Sequence, residues 1–382
     1  MSKSVHLFLD ERSSGNVLRR DLTIECFDNN RSISRDSIYY EFFGHSKSTA
    51  NLDFAIVAIL FASMKTGRDI YVHGSASQSL MRNLEEFQHV FCSWFPNLYQ
   101  CVDINADHIE KKVVVDTGQS AVLLFSGGVD SCFSLFKHVN RSPGKYHVNI
   151  DAAVLVHGFD IRLEAQAAFD QAAKSCRKIL AATNIPLVCV KTNARLALPD
   201  WEQNFAAAFA GVLHQFNGSH SIGILSSDAR YDALTLPWGS NPISDHMLSS
   251  DIFSIMAEGH AFSRTEKVMH ISETLECVNN LRVCWEGPQT GANCCVCEKC
   301  IRTILNFRAA GKPLPSAFEK DITDEQIMRL GDKLMNVAKL NELVSIYTFA
   351  TKHEIAGTWL ETLQKVISKQ VATRSQSNHS SL

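Results

Sequence analysis

The residues whose types and spacing suit chemistry fall into two groups. The first is the run Ser126-Gly127-Gly128-Val129-Asp130-Ser131, which follows an apolar segment from Ala121 to Phe125. A buried strand that turns through two glycines into a helix presents backbone N–H groups at the helix N-terminus, where the macrodipole favours anions. Gly127 and Gly128 let the backbone approach a phosphate without a Cβ in the way, and Ser126 and Ser131 add hydroxyl donors. Asp130 repels phosphate. Its carboxylate is expected either to meet Mg²⁺ that bridges it to a nucleotide, or to order the turn by accepting backbone N–H bonds. The run has neither the Gly-x4-Gly-Lys pattern of Walker loops nor the Gly-x-Gly-x-x-Gly dinucleotide fingerprint, and the plain alternative is an ordinary tight turn.

The second group is Cys284, Cys294, Cys297 and Cys300, in the spacing C-x9-C-x2-C-x2-C. Four thiolates with two tight steps suit tetrahedral Zn²⁺, and a shell filled by protein leaves no position for water, so the metal reads as structural. Gly287, Pro288 and Gly291 allow the chain to fold back from the first ligand to the others. Cys295 is set outside the shell because adjacent side chains rarely reach one small ion, although exchange with Cys294 stays open. Five of the twelve cysteines crowd into this stretch, which points to metal rather than to a disulfide framework.

The elements that must position these groups read as alternating strands and helices. Apolar runs at Ala121 to Phe125, Ala152 to Val156, Leu187 to Val190 and Ser221 to Leu225 are separated by segments of helical spacing. That pattern predicts an α/β fold built on a doubly wound parallel sheet. Ligands in such sheets bind beyond the carboxyl ends of the strands, where Ser126, His157, Thr192 and Ser226 fall. Before this region, Val5 to Leu9 and Leu22 to Phe27 read as strands, and Asn51 to Met64 and Ser77 to Phe95 as helices, giving a small N-terminal α+β domain. The expected division is 1–116 for that domain, 117–280 for the nucleotide-type domain, 281–372 for a helical, metal-bearing region and 373–382 for a disordered tail.

The composition bounds the class. The 382 residues carry a net charge of −3, which gives no electrostatic reason to seek a polyanion, so nucleic acid is not indicated. No apolar run approaches the length of a membrane span, and the N-terminus lacks the features of a secretory signal, so a cytoplasmic protein is expected.

The run from Ser126 to Ser131 matches the Ser-Gly-Gly-x-Asp-Ser signature at all six positions, and the chain thereby resembles the PP-loop ATP-pyrophosphatases. The resemblance implies cleavage of ATP between its α and β phosphates, adenylation of a carboxylate or amide-like oxygen, and displacement of AMP by ammonia or another amine. With the cysteine quartet, it narrows toward 7-cyano-7-deazaguanine synthase over roughly residues 121–308. By that resemblance Phe125 to Ser131, Val156, His157 and Lys267 contact the nucleotide, with Ser126, Asp130, Ser131 and Lys267 in catalytic roles. His157 reads equally as a buried structural histidine. Arg230, Asp245 and Arg264 are candidate acceptor contacts, with Asp228 in the same loop. The loop from Arg230 to Pro242 departs from that family's substrate motif, which leaves a small-molecule or a conjugated acceptor open. Two other functions compete: tRNA modification, although no paired catalytic cysteines lie near the loop, and a nucleotide-binding module without turnover. A homo-oligomer is common among enzymes of this resemblance, and a protein partner docked through the first 116 residues would suit the module.

Overall fold

The computed structural model describes residues 3–45, 47–111, 120–227, 230–234, 236–284 and 286–379. The expected boundary at 116 and the candidate Asp228 lie outside the described residues. The chain divides into two compact units, one of residues 1–126, 134–166 and 180–260, the other of 127–133, 167–179 and 261–382.

The first unit opens with three antiparallel strands, β1 (Lys3–Ser14), β2 (Val17–Asp28) and β3 (Arg31–Phe43). Asn29 and Asn30 both take left-handed backbone, at φ 49° and 63°, and close the second hairpin. Asparagine tolerates that region and matches the twist of the flanking strands. α1 (Asp53–Thr66) is buried on nearly all sides and ends at Gly67, whose φ of 61° supplies the left-handed cap. β4 (Asp69–Ser77), α2 (Gln78–Trp94) and β5 (Ile104–Glu110) follow.

The alternating region supplies β6 (Ser120–Leu124), α3 (Val129–Val139), β7 (Asn149–His157), α4 (Gln166–Leu180), β8 (Leu187–Thr192), α5 (Ala194–Ala197), α6 (Trp201–His214), β9 (Ile222–Ser226) and β10 (Ser254–Glu258). Along α6, Gly211 comes so close to α1 that an added Cβ would lie 3.4 Å from the Phe54 carbonyl oxygen.

All ten strands form one sheet in the order β10-β9-β6-β7-β8-β3-β2-β1-β4-β5. β10 through β8 are mutually parallel, as the apolar runs predict. The wholly parallel sheet and the separate small N-terminal sheet give way to a single mixed one. The reason is β3, whose residues Tyr40 to Phe43 pair antiparallel with Thr192 to Cys189 of β8. Its first seven residues are exposed, so it carries no alternating apolar signature there.

The second unit contains α7 (Arg264–Ile271), α8 (Leu275–Asn279), α9 (Glu298–Ala309), α10 (Asp324–Arg329), α11 (Val337–Lys352) and α12 (Thr358–His379). The segment read as a disordered tail from 373 is instead the last part of α12, and residues 380–382 lie outside the described residues. Thr373 and Ser375 return their hydroxyls to the carbonyls of Lys369 and Val371, which lets polar residues ride on a helix. Among the described residues no helix is long and apolar enough to cross a membrane.

Candidate functional sites at the glycine loop and the cysteine cluster

β6 lies inside the parallel half of the sheet, with β7 on one side and β9 on the other, so the direction of strand addition reverses at β6. In open α/β sheets that reversal marks the crevice where ligands bind. The Phe125 N–H donates to the Val154 carbonyl at 2.7 Å, holding the end of β6 against β7. The chain then turns at Gly127, φ 72°, whose carbonyl accepts the Arg282 N–H at 2.9 Å. Gly128 accepts the first bond of α3, from the Cys132 N–H at 3.0 Å, and the Ser131 hydroxyl donates to the same carbonyl at 3.1 Å. The glycine run is therefore the strand-turn-helix that its sequence predicts, with the first turn of α3 at its tip.

Asp130 has a role that neither sequence alternative named. Its two carboxylate oxygens accept hydrogen bonds from Lys267 Nζ at 3.0 Å and Arg264 Nη2 at 2.5 Å. Burial alone would raise its pKa, but the charges of Arg264 and Lys267 and their hydrogen bonds prevail and hold the carboxyl well below the usual carboxylate range. The start of α7 places both cations. Ser263 Oγ accepts the Glu266 N–H at 3.2 Å and the Glu266 carboxylate accepts the Ser263 N–H at 2.7 Å, a capping box that leaves Arg264 and Lys267 three residues apart on one face. Lys267 is 2% exposed, with its ammonium 5.9 Å from the centre of the Phe133 ring.

The cationic pair continues into residues that sequence reading missed. Arg264 Nη1 lies 3.3 Å from Glu342 of α11, and Glu342 also pairs with Arg302 of α9. Arg302 in turn pairs with Glu298, one turn earlier on the same helix. The Glu298/Arg302 spacing was a visible cue for that pair, whereas Glu342 offered none.

The four cysteines converge. Their sulfurs all lie within 4.8 Å of one another, with Cys284 to Cys297 at 3.7 Å and Cys294 to Cys300 at 4.0 Å. Sulfurs about 2.3 Å from a tetrahedral ion stand about 3.8 Å apart, so the cluster can hold a metal ion such as zinc. Cys295 is turned away, at φ 59°, and its thiol faces the Asn293 carbonyl at 3.7 Å. Asn293 stitches the knuckle together: its carbonyl oxygen accepts the Val283 and Cys284 N–H groups, and its amide donates to Leu281 and Ala317. A Cβ on Gly287 would meet the Cys284 sulfur at 2.6 Å and the Cys294 sulfur at 2.9 Å, so only glycine leaves the thiols their places. Cys297 precedes the first turn of α9, and hydrogen bonds from Cys300 above all bring its pKa down to about 5, while burial pushes Cys284 up to about 11.

The remaining candidates belong to the sheet unit. His157 is buried at the end of β7, and its Nε2 donates to the Arg162 carbonyl at 2.9 Å. Val156 is part of the core. Arg230 pairs with Asp232 at 3.3 Å on the surface. Asp245 is fully buried and accepts from Ser240 Oγ at 2.7 Å and the Asn241 N–H at 3.0 Å, which orders the loop from inside. A charged group not foreseen sits at the end of β10, where Glu258 meets Lys137 Nζ at 2.7 Å and His138 Nε2 at 3.3 Å.

No paired catalytic cysteines are expected near the glycine loop. Cys132, Cys176 and Cys277 come together beside it, with Cys176 Sγ 3.1 Å from where a Gly127 Cβ would stand. All three are fully buried, and burial followed by the bond to Cys277 drives the Cys132 thiol far up, so they pack as small apolar groups rather than nucleophiles. No protein-family model matches the chain, and no curated protein or solved structure does either.

Proposed function

We propose that the chain is an ATP-dependent adenylating enzyme of the PP-loop type. It binds a triphosphate at Ser126 to Ser131, cleaves it to AMP and pyrophosphate, and activates a carboxylate or amide-like oxygen for attack by ammonia or another amine. The observation that carries this reading is the pairing of Lys267 and Arg264 with Asp130 at the first turn of α3, directly after a sheet strand at the reversal point. Two cations beside a helix N-terminus form a site that favours negative charge developing on phosphate oxygens. Asp130 is already neutralised by these partners, so Mg²⁺ enters in this proposal with the nucleotide, as its phosphate complex. The four thiolates hold Zn²⁺ in a structural role that fixes the start of α9.

Pyrophosphate exchange into ATP, measured with a panel of carboxylates that includes 7-carboxy-7-deazaguanine, tests the reaction. The native protein should exchange with at least one acceptor and Asp130→Ala should not. Exchange that ignores the substitution would remove Asp130 from the machinery. The second reading is nucleotide binding without turnover, favoured by the pairing of both cations with Asp130 and of Arg264 with Glu342. Tight ATP binding with no exchange under any acceptor would select it.

A further inference from the structure

Away from both sites, α2 ends beside a pair of thiols. Cys92 Sγ and Cys101 Sγ stand 3.6 Å apart, and Cys101 Sγ is 3.6 Å from His89 Nδ1. Cys101 is exposed and Cys92 half-buried. Their approach is built in. Gln88, buried on α2, donates to the Val102 carbonyl at 3.2 Å and accepts the Val102 N–H at 2.8 Å, which clamps the returning chain one residue past Cys101. His89 follows Gln88 directly, and Cys92 lies one helical turn beyond it. On the other side, the Gln100 N–H donates to the Met64 carbonyl at 3.1 Å, so the segment is fixed at both ends.

We infer that Cys101, Cys92 and His89 form a thiol-disulfide exchange site, at which small disulfides of the glutathione class convert the two thiols into a reversible Cys92–Cys101 bond. The exposed Cys101 gives its proton to His89 Nδ1 and attacks one sulfur of the small disulfide. That sulfur–sulfur bond breaks, the first small thiolate leaves and takes the proton from His89, and a mixed disulfide stands on Cys101. Cys92 then attacks the Cys101 sulfur and expels the second small thiolate, which takes the Cys92 proton. Two protein thiols are oxidised and one small disulfide is reduced to two thiols. Burial, then the neighbouring thiol, pushes Cys92 up to about 12, which leaves the first attack to the exposed Cys101. The two sulfurs, at 3.6 Å, have less than about 2 Å to close to reach the bonded distance of about 2.05 Å.

The full chain, equilibrated with oxidised glutathione, alkylated, digested and mapped by mass spectrometry, tests the inference. A peptide joined through Cys92 and Cys101 should form and revert on addition of reduced glutathione. Cys92→Ser, with Cys92→Ala as a second variant, should instead retain glutathione on Cys101. His89→Gln should slow capture of Cys101 about tenfold at neutral pH. A mixed disulfide that persists on Cys101 while Cys92 is intact would overturn the pairing, and an unchanged capture rate would remove His89 from the step.

Discussion

Lys267 Nζ lies 3.0 Å from Asp130 Oδ1, so a buried lysine of α7 and the acidic residue of the glycine loop neutralise each other across 137 positions of sequence. Asp130→Asn would remove the charge that Lys267 and Arg264 share, while Glu342 stays beside Arg264. Fully buried pairs lose about 3–5 kcal/mol when one partner is removed. The Asp130 side chain keeps 21% of its exposure, so a loss of about 2 kcal/mol is expected. Urea unfolding at neutral pH checks it, and adding Lys267→Met to the same chain should restore part of the loss, whereas additive losses would show that the two groups do not interact.

At Glu258 the expectation concerns pH. Burial would raise this carboxyl, yet hydrogen bonds from His138 and Lys137, with their charges, bring it down from 4.5 to about 2. A lowered folded pKa means the contribution is complete above pH 4.5 and fades as pH falls toward 2. With allowance for partial exposure, roughly 2 kcal/mol should be involved. The stability difference between the native chain and Glu258→Gln, measured across that acid range, should therefore shrink as pH drops; a difference that grows would reverse the assignment.

Gly287→Ala places a methyl group 2.6 Å from the Cys284 sulfur and 2.9 Å from the Cys294 sulfur. Metal affinity should fall by about tenfold or more, as it does when the shell around a site is disturbed. Competition with a chromophoric chelator gives the number. Elemental analysis of the native chain should find one zinc, and Cys297→Ser should lose it together with several degrees of thermal stability. A native chain that folds fully without metal would contradict the structural role.

Gly127→Ala tests the turn. An alanine at φ 72° costs about 1 kcal/mol, and its Cβ would press on Cys176 Sγ at 3.1 Å. Titration with a fluorescent ATP analogue should show binding weakened by about tenfold or more, since the shift falls where α3 begins. Equal affinity in the two proteins would place the nucleotide elsewhere.

What the sequence made legible was local. The run from Ala121 to Ser131 contains its own strand, turn and helix start. The cysteine spacing likewise describes a knuckle that closes within a short stretch, and it correctly left Cys295 out. β3 was missed because seven exposed residues hide its alternation, although Asn29-Asn30 stood in the open as a hairpin cue. The partners of Asp130 and the convergence of Cys132 with Cys277 depend on contacts between distant segments, which periodicity does not encode. Asp245, read as a candidate acceptor contact, carries in sequence no sign of the inward hydrogen bonds from Ser240 and Asn241, because a polar loop looks solvated.

The short pairing of β3 with β8 also bears on how the chain can be cut. Residues Tyr40 to Phe43 shield the backbone of Cys189 to Thr192, so trimming the chain back to the glycine-loop region would lay bare a sticky margin on the parallel strands. Such a fragment should clump on expression, and the opening hundred residues behave as a sealing selvedge rather than an accessory that can be clipped away.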